Sequence, residues 1–248
     1  MWTRPESVPF PSIWRTFKGR REIDGVLPTF WIQDIPPEEY EDVVQCMITR
    51  FCGDEPLTKY SNFLSDPQSI QEMTALWREA LKDKLGIICY MENPDKNGKP
   101  IFAGVNCTHK KLKTDEKYST IAFTGKSVTT IMNLMDHLMK QKNAFEEINT
   151  DVLLSALGLY VFPQFRGQNI GLELLHARRI RIAPWLIEPI KFGYLQKIPK
   201  VIISCFILYN VAKYLNDNLD PMDFKKFPFR TWCLTIILDI QGKEEDLP

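Results

Sequence analysis

The chain has 248 residues, 44% of them hydrophobic and 25% charged, with 31 basic and 31 acidic side chains and a formal net charge of +0. This is the composition of a globular protein long enough to bury a sizeable core, and its charge balance offers no bulk attraction for nucleic acid or an anionic membrane. The longest strongly apolar run, Val201 to Tyr209, is far too short to span a bilayer. Cysteines 46, 52, 89, 107, 205 and 233 are scattered, with no CxxC pair and no histidine at metal spacing, so a reduced, cytoplasmic protein without a metal is expected.

Residues 1 to 24 carry prolines and arginines without periodicity, and are expected as an extended arm on the surface, with Trp2 and Trp14 as anchors. Residues 25 to 248 contain no repeat, linker or low-complexity tract and read as one domain. Thr29 to Asp34 is the first predicted strand. Asp34 can cap the next helix, which has Pro36 and Pro37 in its opening turn and Tyr40, Val43, Val44, Met47 and Phe51 on one face. Gly53 ends that helix and leaves Asp54-Glu55-Pro56-Leu57 in a loop. A second helix begins near Asp66-Pro67, with Ile70, Met73, Leu76, Trp77 and Ala80 on one side. Gly86 to Met91 and Ile101 to Thr108 read as a hairpin joined by the polar turn Asn93 to Pro100. The basic triplet His109-Lys110-Lys111 then reads as a solvated turn, and Ser127 to Lys142 as a helix with Ile131, Leu134, Met135 and Leu138 at helical spacing.

Val152 to Val161 is a short apolar run that suits a buried strand, stopped by Pro163 because proline cannot donate to a sheet ladder. Arg166-Gly167-Gln168-Asn169-Ile170-Gly171 follows, and Ile170, Leu174 and Ala177 continue at helical spacing. The order is strand, glycine-containing turn, helix. Such a turn points backbone N–H groups and the positive end of a helix dipole at one place, whose usual occupant is a phosphate. It is neither a Walker loop nor a dinucleotide fingerprint, since both GxxxxGK[ST] and GxGxxG are missing. Beyond it, Val201 to Phe206 reads as a buried strand, Leu208 to Asn216 as a helix and Thr231 to Asp239 as a strand. The whole is an α/β domain with a mixed sheet and helices on both faces.

The six residues Arg166 to Gly171 resemble the acyl-CoA loop [RQ]-x-x-G-x-[GA] of the GNAT superfamily of N-acyltransferases. Arg166 and Gly171 match its ends, and Asn169 stands where the central glycine normally sits. Asparagine is among the few residues that tolerate positive φ. Within the superfamily the chain is most similar to the insect arylalkylamine N-acetyltransferases. That likeness rests on Asp54-Glu55-Pro56-Leu57, the Met73-to-Trp77 helix, Gly104-x-Asn106, and Leu157-Gly158-Leu159-Tyr160-Val161. It implies a GNAT-like mixed, mostly antiparallel central sheet, acetyl-CoA as donor and a small arylalkylamine such as dopamine, tyramine, octopamine or serotonin as acceptor.

The resemblance also implies residue roles. An alkylamine is protonated at neutral pH, with a pKa near ~10, and only the neutral form attacks a thioester, so a carboxylate must take the proton. In the family that is the glutamate of the DEPL motif, here Glu55. Backbone groups of Leu159, Tyr160 and Val161 would hold the acetyl carbonyl and pantetheine arm. The pyrophosphate would take N–H groups of Gly167, Gln168, Asn169, Ile170 and Gly171 with the charge of Arg166. In the second half, Tyr209 and Tyr214 are the candidates for protonating the leaving thiolate, and Asn210 is the candidate for contacting pantetheine or substrate. Phe10, Phe30, Trp31, Tyr60 and Phe63 are aromatics that could wall an arylalkyl pocket. A monomer is expected. Two other readings stay open: a non-catalytic acyl-CoA-binding protein on the same fold, and an N-acyltransferase for a non-aromatic amine.

Overall fold

A computed structural model describes Arg4 and residues 6–114, 123–141, 145–146 and 151–178. All of them fall within Met1–Ile190, one of two units into which the chain divides. The expected strands at 201–206 and 231–239, the helix at 208–216, and Trp2 lie outside the described residues.

The five-residue apolar run Ile87–Met91 is β3, and every one of its positions is buried. A strand covered on both faces belongs in the middle of a sheet, and β3 is there. The order is β1 (Ile13–Lys18), β2 (Thr29–Asp34), β3, β4 (Ile101–Leu112) and β5 (Val152–Val161), each strand antiparallel to its neighbour. Because side chains alternate between faces, Ile88, Tyr90, Val105, Cys107 and Tyr160 enter one core, and Ile87, Cys89, Met91, Ala103 and Val161 enter the other.

Helices cover both faces. On the first lie α1 (Tyr40–Cys46), which contributes Val43 and Val44, and α3 (Pro67–Leu81), which contributes Met73, Leu76 and Trp77. Between them in sequence is the short α2 (Pro56–Tyr60). The helix α4 (Lys126–Gln141) starts against α3. There Asp66 caps α3 through Ser69 N–H and also accepts from Ser127 N–H at 3.0 Å, while buried Glu72 accepts from the N–H groups of Thr124 and Gly125. On the second face α5 (Ile170–Ala177) brings Ile170, Leu174 and Ala177 down on the strands.

Three local expectations are corrected. Part of the N-terminal arm is a strand: Ile13–Lys18 pairs with β2 as the sheet's first strand. The arm is held there by Arg4, whose guanidinium meets the fully buried Asp34, together with Ser12 N–H and Trp14 Nε1, which donate to the same carboxylate. The strand was illegible because most of its side chains are exposed and show no alternation. His109-Lys110-Lys111 is no turn but the last third of β4, paired with Leu153 to Ser155. Gly53 does not end the first helix, which runs on from α1 through a π-helical turn, Met47–Phe51, into one further α turn, Cys52–Asp54.

Candidate functional site

The π-helical turn explains how the two halves of the site meet. A π turn carries one extra residue, and it shifts the side chains that follow it. Here it presses Met47 and Phe51 against Gly158 of β5. A Cβ on Gly158 would lie 2.5 Å from Met47 Cε and 3.0 Å from Phe51 Cζ, and the residue has φ +125°. No other residue type fits that space or that backbone without strain. Gly158 sits in a β-bulge, where the pairing of β4 with β5 slips between Asn106–Leu159 and Thr108–Ala156. The slip frees the carbonyl of Leu157, and Trp77 Nε1 donates to it at 2.9 Å from a fully buried ring. A bulge of this kind re-aims the backbone beyond it, in this case Leu159, Tyr160 and Val161. Beside it, Asn106 is fully buried and both of its amide atoms lack a hydrogen-bond partner among the described residues.

Glu55 follows the added helical turn. Its backbone is extended, φ −71° and ψ 128°, and its side chain caps α2. Oε2 accepts from Thr58 N–H at 2.8 Å and Thr58 Oγ1 at 3.0 Å. The cap uses one carboxylate oxygen and fixes the side chain. Among the described residues Oε1 accepts nothing. The loop expected here is therefore a turn between two short helices, and Glu55 is its pivot.

Arg166 joins Glu55's segment to β5. Its guanidinium forms an ion pair with Asp54, donates through Nε to Val161 O at 3.1 Å, and lies 5.7 Å over the Tyr160 ring. The first position of the loop is thus engaged with the residue preceding Glu55. From Tyr160 an aromatic row crosses the sheet: Phe162 at 5.3 Å, Phe102 at 5.1 Å from that, then Tyr90 and Trp31. Burial raises the phenol pKa of Tyr160, with Arg166 opposing it, so its hydroxyl is neutral through the physiological range.

The loop itself has the geometry of an anion cradle. Gly167 and Asn169 both take positive φ, +84° and +71°. Glu173 N–H is the first of α5 to bond back, to Asn169 O at 3.1 Å, which leaves the N–H groups of Ile170, Gly171 and Leu172 without backbone partners among the described residues, at the positive end of the helix. The Asn169 side chain is drawn along the helix: Nδ2 donates to Glu173 Oε1 at 3.0 Å, and Glu173 forms an ion pair with Arg15 of β1. A Cβ on Gly171 would meet nothing nearer than 3.9 Å, so packing among the described residues does not require glycine there. Gln168 is turned inward, 3% exposed, with Oε1 accepting from Arg20 N–H and Arg21 N–H and Nε2 donating to Arg21 O.

The structure brings together Asp54, Tyr160, Val161 and Arg166, with Glu55 next in sequence to Asp54 and its carboxylate on Thr58, and places Leu159 and Gly167 to Gly171 along the same strand-loop-helix. Tyr209 and Asn210 lie outside the described residues. Two of the proposed pocket aromatics, Phe30 and Phe63, are core residues at 0% and 1% exposure. Phe10 packs against the cations of Arg4 and Lys84. The bulge, the π turn and the Tyr160–Phe162–Phe102 row were missed. Gly158 was the one residue that signalled the bulge, as a glycine inside a strand pattern. Among the described residues no His, Cys, Asp and Glu group could hold a metal, and no helix is long and apolar enough to cross a membrane. Cys46, Cys52, Cys89 and Cys107 are buried free thiols, with burial pushing those of Cys46 and Cys52 up to about 12.

Known structures resemble this arrangement. The crystal structure of arylalkylamine N-acetyltransferase 7 of the yellow fever mosquito Aedes aegypti, itself a provisionally assigned enzyme, superposes with a TM-score of 0.65 at 30% identity, covering 72% of this chain and 72% of that one. Arylalkylamine N-acetyltransferase 2 of the same mosquito matches in fold, with a TM-score of 0.51 at 23% identity over 60% of this chain and 68% of that one. No protein-family model matches the sequence, and no curated protein sequence does.

Proposed function

Because this chain belongs to the GNAT superfamily of N-acetyltransferases, we propose that it moves the acetyl group of acetyl-CoA to the primary amine of a small arylalkylamine, by direct attack within a ternary complex. The observation that carries the reading is the bridge Glu55–Asp54–Arg166–Tyr160. It ties the segment that carries Glu55 to the strand and loop suited to an acyl-CoA, and through Arg166 to Tyr160, one end of an aromatic row suited to an aryl ring.

Each of this chain's residues has a task in that reaction. Acetyl-CoA supplies the thioester. The N–H groups of Ile170, Gly171 and Leu172, with the helix dipole behind them, suit its pyrophosphate. The glycine at 171, which packing does not demand, leaves room for close approach. Backbone groups of Leu159, Tyr160 and Val161, turned by the bulge, take the pantetheine arm and the acetyl carbonyl. The amine arrives as an ammonium ion and gives a proton to Glu55, whose Oε1 is free while Oε2 is anchored to Thr58. The neutral nitrogen forms a bond to the acetyl carbon, the carbon–sulfur bond breaks, and the CoA thiolate leaves; the second proton lost by the nitrogen as the amide forms balances the one the thiolate takes up to become the thiol. Tyr160 and Phe162 offer ring faces and edges to an aryl substituent.

Glu55→Gln tests the assignment of the base. The isostere keeps an oxygen for the Thr58 cap but takes up no proton. We expect kcat with tyramine to fall about 10²- to 10⁴-fold, with acetyl-CoA affinity unchanged by calorimetry. A variant that retains the parent's kcat would remove Glu55 from the chemistry.

A further inference from the structure

We infer that Arg21, from the N-terminal segment, is a cofactor-binding residue that supplies the positive charge facing the pyrophosphate. This rests on the acyl-CoA reading above and extends it to a residue outside the strand-loop-helix. The loop's own cation, Arg166, is countered by Asp54 and tied to Val161 O. A diphosphate at the loop would then meet N–H groups and a helix dipole but no uncompensated cation from the loop itself. Arg21 fills that gap. Its guanidinium stands against Gly167, the second residue of the loop: from the point where a Cβ there would be, Cζ is 3.1 Å away and Nη1 3.2 Å. The side chain is exposed and, among the described residues, forms no hydrogen bond or ion pair.

This placement is built rather than incidental. Gln168 spends all three of its side-chain bonds on the backbone of residues 20 and 21, at 2.7, 2.9 and 2.8 Å, and is buried in doing so. Gly19 is packed against the same group: a Cβ there would meet Gln168 Oε1 at 2.7 Å. Arg15 adds a second tie, through Glu173, to the first turn of α5. The loop therefore fixes where residues 20 and 21 sit, and the backbone bonds leave the Arg21 side chain free to turn a planar, two-pronged donor onto phosphate oxygens. Gly167 suits that partner twice. Its φ of +84° favours glycine, and the missing Cβ lets the guanidinium lie close to the backbone.

The test is calorimetric binding of CoA and of 3′-dephospho-CoA to the full chain, with Arg21→Ala, Arg21→Lys and Arg21→Glu. We expect Arg21→Ala to weaken both ligands by about tenfold, as for loss of one charge-assisted contact. Arg21→Lys should lose less, Arg21→Glu should lose more, and the thermal midpoints should stay with the parent's because the side chain bonds to nothing in the unliganded fold. The salt dependence of CoA binding should also flatten in Arg21→Ala. If Arg21→Ala binds CoA as the parent does, the inference is overturned and the acyl-CoA reading stands. A loss seen with CoA but absent with 3′-dephospho-CoA would place Arg21 on the ribose phosphate and overturn the pyrophosphate assignment. If the parent itself binds no CoA, the acyl-CoA reading fails first, and this inference with it.

Discussion

At the level of single residues, the site depends on groups whose second tasks are structural. Glu55 is both a helix cap and the proposed base, and the cap is what presents its second oxygen. Asn169 shows how a departure from the usual loop pattern is accommodated. The position demands positive φ, which asparagine accepts, and its amide is taken up by Glu173. Its residue type made the first part legible in the sequence, but the second needed the fold, because Glu173 and its partner Arg15 are 158 residues apart. Gly171 is the converse case, a glycine with ordinary space around its α carbon. Gly171→Ala should raise stability by about 0.5–1 kcal/mol, as expected for alanine over glycine in a helix, while weakening acetyl-CoA binding. Chemical denaturation and calorimetry on one preparation check both; an alanine variant that binds normally would show that no ligand approaches there.

At the level of elements, the π-helical turn, the bulge at Gly158 and the Trp77 bond to Leu157 form one device that sets the direction of β5 beyond residue 158. Trp77→Phe would leave the part-buried Leu157 carbonyl without its indole donor. We expect a loss of about 1–3 kcal/mol in denaturant unfolding, with turnover falling further than stability alone explains; a variant as active as the parent would separate the bulge from the site. The contact between α3 and α4 has a pH signature. Hydrogen bonds from Ser127 N–H, Ser69 Oγ and Ser69 N–H hold the Asp66 carboxyl down to about 2, against a usual value near ~4. A depressed carboxylate pKa favours the fold above the unfolded value and loses that contribution as pH falls through the folded one. Thermal midpoints should therefore decline between pH about 4 and about 2, and Asp66→Asn should flatten that decline. A parallel decline in the variant would assign it to other carboxylates. Most of these elements could be read from periodicity: β2, β3, β5, α1, α3, α4 and α5 fall where the apolar spacing put them. The π turn and β1 could not, since a π turn leaves the apolar order unchanged and β1 is mostly exposed.

At the level of the whole molecule, the antiparallel sheet carries two cores, and the proposed chemistry falls where β5, the end of the first helical segment and the start of α5 meet. The fold and the family are legible in the sequence because strand, loop and helix keep their order along the chain. The aromatic row is not, since its members lie on β2, β3, β4 and the end of β5, and neighbours in a sheet are not neighbours in sequence. The reach of the N-terminal segment to the loop is hidden for the same reason. The central claim is amine acetylation, and amine-dependent release of CoA thiol from acetyl-CoA tests it most directly, compared for tyramine, dopamine, agmatine and spermidine. Saturable release is expected with tyramine or dopamine, well above that with agmatine or spermidine. Acetyl-CoA binding with no thiol release for any of the four, or release with the polyamines alone, would contradict it.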